Sequence, residues 1–80
     1  MIRWTRRAEK DVAELPERLA ERARSLAGQL EKNPVLGSKL KGNLKGKWSA
    51  RLGRSHRIIY TVDEGQVTIL TVRPRRDAYR

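Results

Sequence analysis

The sequence predicts an α+β fold in which a helical hairpin packs on one face of a mostly antiparallel, twisted sheet. First, a short apolar segment, Ile2 to Thr5, precedes two stretches whose apolar residues have helical spacing. Second, the C-terminal half carries three segments with strand-like patterns, separated by glycine-containing turns. The predicted order is therefore β-α-α-β-β-β. Eighty residues correspond to one domain, residues 1–80.

The helical hairpin is predicted from two apolar stripes that meet at a proline. Ala8, Val12 and Leu15 fall on one helical face and define the first helix. Pro16 interrupts this run and suits the first turn of a second helix, which is expected to end near Asn33-Pro34. The stripe of the second helix consists of Leu19, Ala23, Leu26 and Leu30.

Residues 35–47 are predicted to form a loop, because they include three glycines and four lysines. A flexible linker is the alternative, although a loop of this length between packed elements is more often functional. Strands are expected over 48–52, 57–62 and 67–72, and Asp63-Glu64-Gly65 supplies the last turn. Trp4 and Trp48 are assigned to the core.

Positive charge is concentrated in the second half of the chain. The whole chain has 19 Lys+Arg against 9 Asp+Glu, a net charge of +10. Residues 1–38 carry a net +2, whereas residues 39–80 hold eleven Lys+Arg and three acids, a net +8. Such a field attracts polyanions by neutralising phosphates and releasing counterions. A surface charged only for solubility is the alternative, but the arginines here cluster on strand-like segments.

Composition disfavours several kinds of protein and site. Without cysteine, neither disulfides nor thiolate zinc sites are expected, and one histidine disfavours a histidine metal site, so no metal or cofactor is predicted. No apolar run approaches the roughly 18 residues of a membrane span, and the N-terminus becomes charged at once, unlike a secretory signal. We therefore expect a cytoplasmic protein without membrane contact and with an anionic partner.

A cation-rich site can cleave RNA without a metal, because the 2′-hydroxyl is a nucleophile already placed beside its own phosphate. The protein must then stabilise the phosphorane and transfer protons. Arginine suits the first role, since its guanidinium matches phosphate oxygens, and lysine, histidine or tyrosine can serve the second. The candidates in the basic half are Lys45, Lys47, Arg51, Arg54, His56, Arg57, Arg73, Arg75, Arg76 and Tyr79.

Arg57 and Arg73 flank the predicted hairpin. Counting outward from Glu64-Gly65 pairs position 57 with about position 72, so the two arginines come within about one residue of facing each other. Like charges at such positions repel and lower stability, so this arrangement is expected only where an anion binds. Exposed strand arginines whose aliphatic stems cover the sheet are the alternative.

His56 and Tyr79 each have an ordinary interpretation beside the chemical one. A lone histidine is more often a surface residue than a catalyst, although its neighbour Arg57 favours proton donation or base stacking. Tyr79 is either a packing or tail residue, or a group that stacks on a base among the surrounding arginines.

Three segments resemble the RelE/ParE superfamily of bacterial and archaeal toxins: Leu40–Leu52, His56–Tyr60 and Val72–Tyr79. With the N-terminal strand and the helical hairpin, the resemblance spans nearly the whole chain. It implies a RelE-like microbial RNase-type fold and a type II toxin neutralised by a cognate antitoxin. RelE-like members cleave mRNA in the ribosomal A site, whereas ParE-like members poison DNA gyrase.

The resemblance also implies roles for individual residues. Arg57 and Arg73 would act on the scissile phosphate, and Tyr79 would orient the nucleophile or stack on a base. The segment from Trp48 to Arg57 looks most like the YoeB-type branch, in which a glutamate base stands where this chain has Ser38. The remaining proton-transfer candidates are Lys47 or Lys45 as the base and His56 as the acid.

Our leading hypothesis is a ribosome-dependent mRNA endonuclease that is monomeric alone and forms a hetero-oligomer with its antitoxin. Its expected partners are the ribosome, mRNA and the antitoxin, with operator DNA contacted only through the antitoxin. A ParE-like gyrase inhibitor and an inactive relative acting as a corepressor are the alternatives. The predicted RNA-binding residues are Lys39, Lys41, Lys45, Arg51, Arg54, Arg75 and Arg76.

Overall fold

The computed structural model describes residues 2–77, which form two α-helices and five strands. In chain order these are β1 (Ile2–Trp4), α1 (Arg6–Ala13), α2 (Glu17–Lys32), β2 (Ser38–Lys39), β3 (Trp48–Leu52), β4 (His56–Asp63) and β5 (Gln66–Pro74). Short 3₁₀ turns cover Pro34–Leu36, Gly42–Leu44 and Arg75–Asp77. The predicted α+β class, with a helical hairpin on a mostly antiparallel sheet, is confirmed.

The strands lie in the order β1-β5-β4-β3-β2. β1 runs parallel to β5, and the other neighbours are antiparallel. Both helices pack on the same sheet face, because the residues that β3, β4 and β5 turn toward them belong to one core cluster with α1 and α2. Neither helix in residues 2–77 has the length and apolar run needed to cross a bilayer.

β2 corrects the prediction of an uninterrupted loop over residues 35–47. Ser38 pairs with Ser49, and Lys39 pairs with Trp48. A two-residue strand with exposed polar side chains has no alternation that a sequence pattern can reveal. It forms because the edge of β3 offers backbone hydrogen-bond partners, and because Gly37 lets the chain pass close to that edge. A Cβ on Gly37 would lie only 2.5 Å from the Ser49 carbonyl oxygen.

The two helices lie where the sequence predicted them, with one difference in burial. Thr5 caps α1 and accepts a hydrogen bond from the Ala8 amide at 3.0 Å, and Pro16 directly precedes α2. Leu19 and Leu26, predicted in the stripe of α2, are half-buried, because small residues make the closest contacts of this helix. The fully buried residues of α2 are Ala20, Ala23, Ala27 and Leu30.

Tyr60 lies at the centre of the core, and both tryptophans lie at its margin. The Tyr60 side chain is fully buried and stacks on the Trp48 ring, with the centroids 6.1 Å apart. Trp48 and Trp4, assigned to the core from the sequence, are half-buried and pack against the core cluster from its margin. The aromatic pair therefore joins β3 to β4 on the helix side of the sheet.

A two-residue turn and a β-bulge set the register of the β4–β5 hairpin. Glu64 and Gly65 both have positive φ, 51° and 80°, which matches a type I′ turn. Residues pair one to one from Asp63↔Gln66 to Tyr60↔Ile69. The register then shifts by one residue, so that Ile59 faces Thr71. The extra residue of β5 places Arg57 directly opposite Arg73, one position beyond the simple count and within the one-residue margin that the sequence predicted.

Candidate nucleic-acid interface

Three arginines form one row across the sheet on the face away from the helices. Arg51 pairs with Arg57, and Arg57 pairs with Arg73, so the row runs through β3, β4 and β5. Side chains alternate between faces along a strand, and each arginine has a strand neighbour that is buried in the core on the helix side. These neighbours are Ala50, Ile58 and Val72.

The spacing of this arginine row suits a phosphate group. Neighbouring strands lie about 4.8 Å apart, so the three Cα atoms span roughly 10 Å. Like charges directly opposite each other destabilise a sheet in the absence of a ligand. Guanidinium groups on adjacent strands can donate to different oxygens of one phosphate, which removes that repulsion. The strand register therefore gives this row a geometry that can bind an anion.

Arg57 and Arg73 are both half-buried and not fully exposed. An Nη of Arg57 donates to the hydroxyl of Ser49 at 3.3 Å, and Ser49 itself is only 2% exposed. The Nε of Arg73 donates to the hydroxyl of Thr71 at 3.4 Å. Each guanidinium group thus donates a hydrogen bond to a hydroxyl on the same sheet face. This contact restricts its orientation before any ligand binds.

An open depression adjoins the row where β4 begins and β5 ends. It measures about 690 Å³, enough space for a nucleotide. The Arg75 amide donates to the Ser55 carbonyl at 2.7 Å and fixes the two rims relative to each other. His56 Nδ1 lies 2.7 Å from the Ser55 hydroxyl. The lining residues are Ser55, His56, Arg57, Pro74, Arg75 and Arg76.

The four predicted lysines surround a different cleft. Lys39, Lys41, Lys45 and Lys47 line a cleft of about 420 Å³ beside Trp48, and Lys39 Nζ lies 5.6 Å from the centroid of the Trp48 ring. Lys47 precedes β3 and is four residues from Arg51 along the strand direction. At about 3.3 Å per residue, this separation is roughly 13 Å. The lysines therefore extend the positive surface but do not join the arginine row.

The family model for the ParE toxin of type II toxin–antitoxin systems matches residues 2–79. The chain is a member of this toxin family. Among curated relatives, Toxin RelK of Mycobacterium tuberculosis is 34% identical over 58 residues, which cover 68% of each chain. Toxin YoeB of Streptomyces coelicolor is 31% identical over 65 residues, covering 76% of this chain and 77% of the relative. These relatives place the toxin in the YoeB-like branch of the RelE/ParE superfamily.

A solved structure shares the whole architecture of the toxin. The crystal structure of the toxin–antitoxin complex RelBE2 from Mycobacterium tuberculosis contains a chain with 34% sequence identity and a TM-score of 0.85. The match covers 94% of this toxin and 96% of that chain. The resemblance drawn from the sequence motifs is therefore confirmed at the level of family and fold.

The structure brings one group of the predicted site residues of the toxin together and leaves another apart. Arg57 and Arg73 face each other, Arg51 extends their row, and His56 lies at the adjoining depression with Arg75 and Arg76. Arg54 is exposed in the turn between β3 and β4. Lys39, Lys41, Lys45 and Lys47 line the separate cleft. Tyr79 lies outside the described residues.

Ser38 lies at the edge of the arginine row. It lines a cleft of about 350 Å³ at the outer edge of β3 together with Arg51 and Arg57. The toxin therefore has a hydroxyl at the place where the resemblance implies a glutamate base. An unactivated hydroxyl is a poor base near neutral pH, so Ser38 is not a chemical equivalent of the glutamate in the YoeB pattern.

Tyr60 anchors the segment that carries Ser38. Its hydroxyl donates to the Pro34 carbonyl at 2.8 Å and accepts from the Gly37 amide at 3.0 Å. Burial raises the pKa of Tyr60, and the hydrogen bond from the Gly37 amide acts in the opposite direction. The phenol thus remains protonated and ties residues 34–37 to the core at neutral pH.

Sequence reasoning missed three polar residues that support the site: Asp11, Ser49 and Thr71. Ser49 and Thr71 contact the guanidinium groups, and Asp11 accepts a hydrogen bond from Thr71. Serine and threonine are common in strands and carry no distinctive signal. Asp11 has the spacing of an ordinary i,i+4 surface pair with Arg7, and nothing in the sequence reveals its contact with β5 sixty residues away.

Proposed function

We propose that this toxin is a ribosome-dependent endoribonuclease that cleaves mRNA by attack of the 2′-hydroxyl on the adjacent phosphate. The observation that carries the proposal is the arginine row, Arg51, Arg57 and Arg73, held in register beside a nucleotide-sized depression. Such an arrangement places positive charge where negative charge develops on the phosphate during the reaction. The YoeB and RelK relatives support the same class of toxin.

The proposed reaction needs no additional reactant. The 2′-oxygen bonds to phosphorus, the bond from phosphorus to the 5′-oxygen breaks, and the products are a 2′,3′-cyclic phosphate and a 5′-hydroxyl. Arg57 and Arg73 stabilise the additional negative charge of the phosphorane, with Arg51 on the flanking side. Binding one phosphate between pre-oriented donors avoids reorganisation during the reaction.

Proton transfer would use groups outside the arginine row. His56 lines the depression beside Arg57 and is our candidate acid, giving a proton to the departing 5′-oxygen. Lys47 and Lys45 stay predictions as the base, although their cleft lies roughly 13 Å from the row by strand spacing. Tyr79 stays a predicted orienting residue.

We further propose that the toxin acts in the cytoplasm and is neutralised by a cognate antitoxin, as in the RelBE2 toxin–antitoxin complex. The toxin alone would be monomeric, and operator DNA would be contacted only through the antitoxin. The net charge of +10 favours an antitoxin segment that is acidic and amphipathic. Such a segment would cover the arginine row and prevent RNA from reaching it.

The test is expression of the toxin without its antitoxin, followed by primer extension on a reporter mRNA and by analysis of gyrase. The expected result is arrest of translation with new 5′-ends inside translated codons. The matched control is the same mRNA with its start codon removed, which should remain intact. Covalent DNA–gyrase adducts with intact mRNA would overturn the proposal in favour of gyrase poisoning.

A further inference from the structure

Asp11 is a nearly buried carboxylate on the first helix, outside the arginine row. Its side chain is 11% exposed, and both oxygens are engaged. Oδ1 pairs with Arg7 Nε at 3.2 Å within α1. Oδ2 accepts two hydrogen bonds from β5, from the Thr71 hydroxyl at 2.6 Å and from the Val72 amide at 3.0 Å. Oδ2 of Asp11 therefore binds the strand that carries Arg73.

The contact of Asp11 continues to the guanidinium of Arg73. A threonine hydroxyl has one proton to donate, and in Thr71 this proton goes to Asp11. The lone pairs of the same oxygen are then available to the Nε of Arg73, which lies 3.4 Å away. A charged acceptor makes the first hydrogen bond short and strong. Asp11 thus fixes the direction in which Thr71 accepts from the arginine.

The same carboxylate also stabilises the β-bulge that sets the register of Arg73. Thr5 donates from its amide to the Ile69 carbonyl at 3.0 Å and from its hydroxyl to the Leu70 carbonyl at 2.7 Å. Asp11 accepts from Val72 on the other side of the extra residue. A shift of one residue along a strand turns its side chains to the opposite face. Both clamps therefore keep Arg73 on the face of Arg57.

We propose that Asp11 is a positioning residue for Arg73, acting through the hydrogen-bonded series from Asp11 Oδ2 to Thr71 Oγ1 to Arg73 Nε. This inference rests on the proposed function, in which Arg73 contacts the scissile phosphate. Asp11 touches neither RNA nor the reacting atoms. Its effect is to hold the guanidinium in the orientation that stabilises the phosphorane.

Thr71→Val and Thr71→Ser form the matched pair that tests this series. Valine keeps the branched shape, the strand propensity and the hydrogen bond between Asp11 and the Val72 amide, but it removes the hydroxyl. Serine keeps the hydroxyl. With steady-state cleavage of mRNA on programmed ribosomes, Thr71→Val should lower kcat at least 10-fold with little change in KM, because Arg51, Arg57 and the lysines still bind RNA. Thr71→Ser should restore most of the rate.

Asp11→Asn and Arg7→Ala provide the second comparison. Asp11→Asn keeps the size of the side chain but removes its charge, and it should lower kcat in the same way as Thr71→Val. Arg7 is 61% exposed and pairs with the other oxygen of Asp11, so Arg7→Ala should leave kcat within about twofold. Equal losses in Arg7→Ala and Asp11→Asn would overturn the proposal, since they would indicate a general role of the ion pair in helix stability.

A double-mutant cycle separates positioning from stability. If Asp11 acts through Arg73, Asp11→Asn should have no further effect on the cleavage rate once Arg73 is replaced by alanine. A full additional loss in the Arg73→Ala background would overturn the inference. A melting temperature measured for every variant identifies any loss of rate that comes from unfolding.

A measurement that does not depend on cleavage distinguishes failure of this inference from failure of the proposed function. The Nε–Hε resonances of Arg57 and Arg73 can be followed by NMR while inorganic phosphate is added. Thr71→Val should shift the Arg73 resonance and weaken its response to phosphate, with Arg57 nearly unchanged. An unchanged Arg73 resonance would overturn positioning even if the toxin cleaves RNA. If wild-type toxin cleaves no RNA, the proposed function fails while this measurement still tests the positioning.

Discussion

Without a bound ligand, Arg57 and Arg73 repel each other, although the surrounding side chains hold both in a fixed orientation. They lie directly opposite on adjacent strands, where like charges repel, yet each is half-buried and held by a hydroxyl. An orientation maintained against repulsion costs stability in the absence of a ligand and removes an ordering cost when an anion binds. The repulsion between the two arginines thus lowers stability in the absence of a ligand, and their fixed orientation favours binding of the phosphate in the proposed reaction.

Replacing Arg57 or Arg73 by alanine is expected to lower the cleavage rate by a factor on the order of 10²–10³ each, because each change removes a pre-oriented donor. Single-turnover cleavage on programmed ribosomes measures the effect. Arg18→Ala is the matched control, since Arg18 is exposed on α2 and the charge change is identical. Equal losses of rate in all three variants would mean that total charge, and not the row, determines activity.

Tyr60→Phe is expected to lower the free energy of unfolding by about 1–3 kcal/mol, because the Gly37 amide and the Pro34 carbonyl lose their partner in a half-buried place. Burial raises the pKa of Tyr60, so the folded state retains the phenolic proton above the ordinary value of 10.0. The contribution of Tyr60 is thus present below pH 10 and is lost as pH rises through the folded-state pKa.

Urea unfolding of wild type and Tyr60→Phe between pH 8 and about pH 11 checks this sign. The difference in the free energy of unfolding between the two proteins should decrease toward alkaline pH. Lysine titration affects both proteins equally and does not contribute to this difference. A difference that stays constant over this range would contradict the assigned cause.

In the β4–β5 hairpin, the register counted outward from the turn differs from the observed register by one position beyond the bulge. The type I′ turn at Glu64-Gly65 determines the first four pairs, and the bulge after Ile69 determines the rest. Two residues before and within α1, Thr5 and Asp11, bond to the bulged segment. The first helix therefore contributes to the register of the last strand.

Glu64→Asn is expected to stabilise the hairpin by up to about 1 kcal/mol, because asparagine tolerates the positive φ that Glu64 adopts here. Thermal or urea unfolding measures the gain. Glu64→Gln is the matched control: it removes the same charge but has no preference for this conformation, and it should change stability much less. An equal gain in both variants would assign the effect to charge instead of backbone conformation.

For the whole molecule, the distribution of charge predicts how strongly salt weakens RNA binding. If residues 39–80 neutralise about 4–6 phosphates, the slope of log affinity against log salt should be about −3 to −4 for single-stranded RNA. Fluorescence anisotropy with a 2′-O-methyl RNA, which cannot be cleaved, gives this slope directly. Replacing both Lys45 and Lys47 by alanine should reduce its magnitude by about 1–2.

Arg18→Ala serves again as the control for the salt experiment and should leave the slope nearly unchanged. A flat salt response of the wild type would show that the basic half is only a solvated surface. A reduced slope together with unaltered cleavage in the lysine variant would show that Lys45 and Lys47 bind RNA but supply no base.

Local signals determined the elements of this protein. The spacing of apolar residues, Pro16 and the glycine of the hairpin turn are short-range features, so the helical hairpin, the last three strands and the fold class could be predicted from them. The candidate arginines could also be predicted, since charge on strand-like segments is visible in the sequence. The family motifs extended this to the whole chain.

The tertiary structure alone decided which of these residues meet. β2 exists only because the edge of β3 offers it partners, and Lys45 and Lys47 are separated from the arginines by the geometry of the sheet. Arg73 faces Arg57 because a bulge, bonded by Thr5 and Asp11 from the other end of the chain, adds one residue to β5. Such contacts depend on packing between distant segments, and no local pattern in the sequence encodes their register.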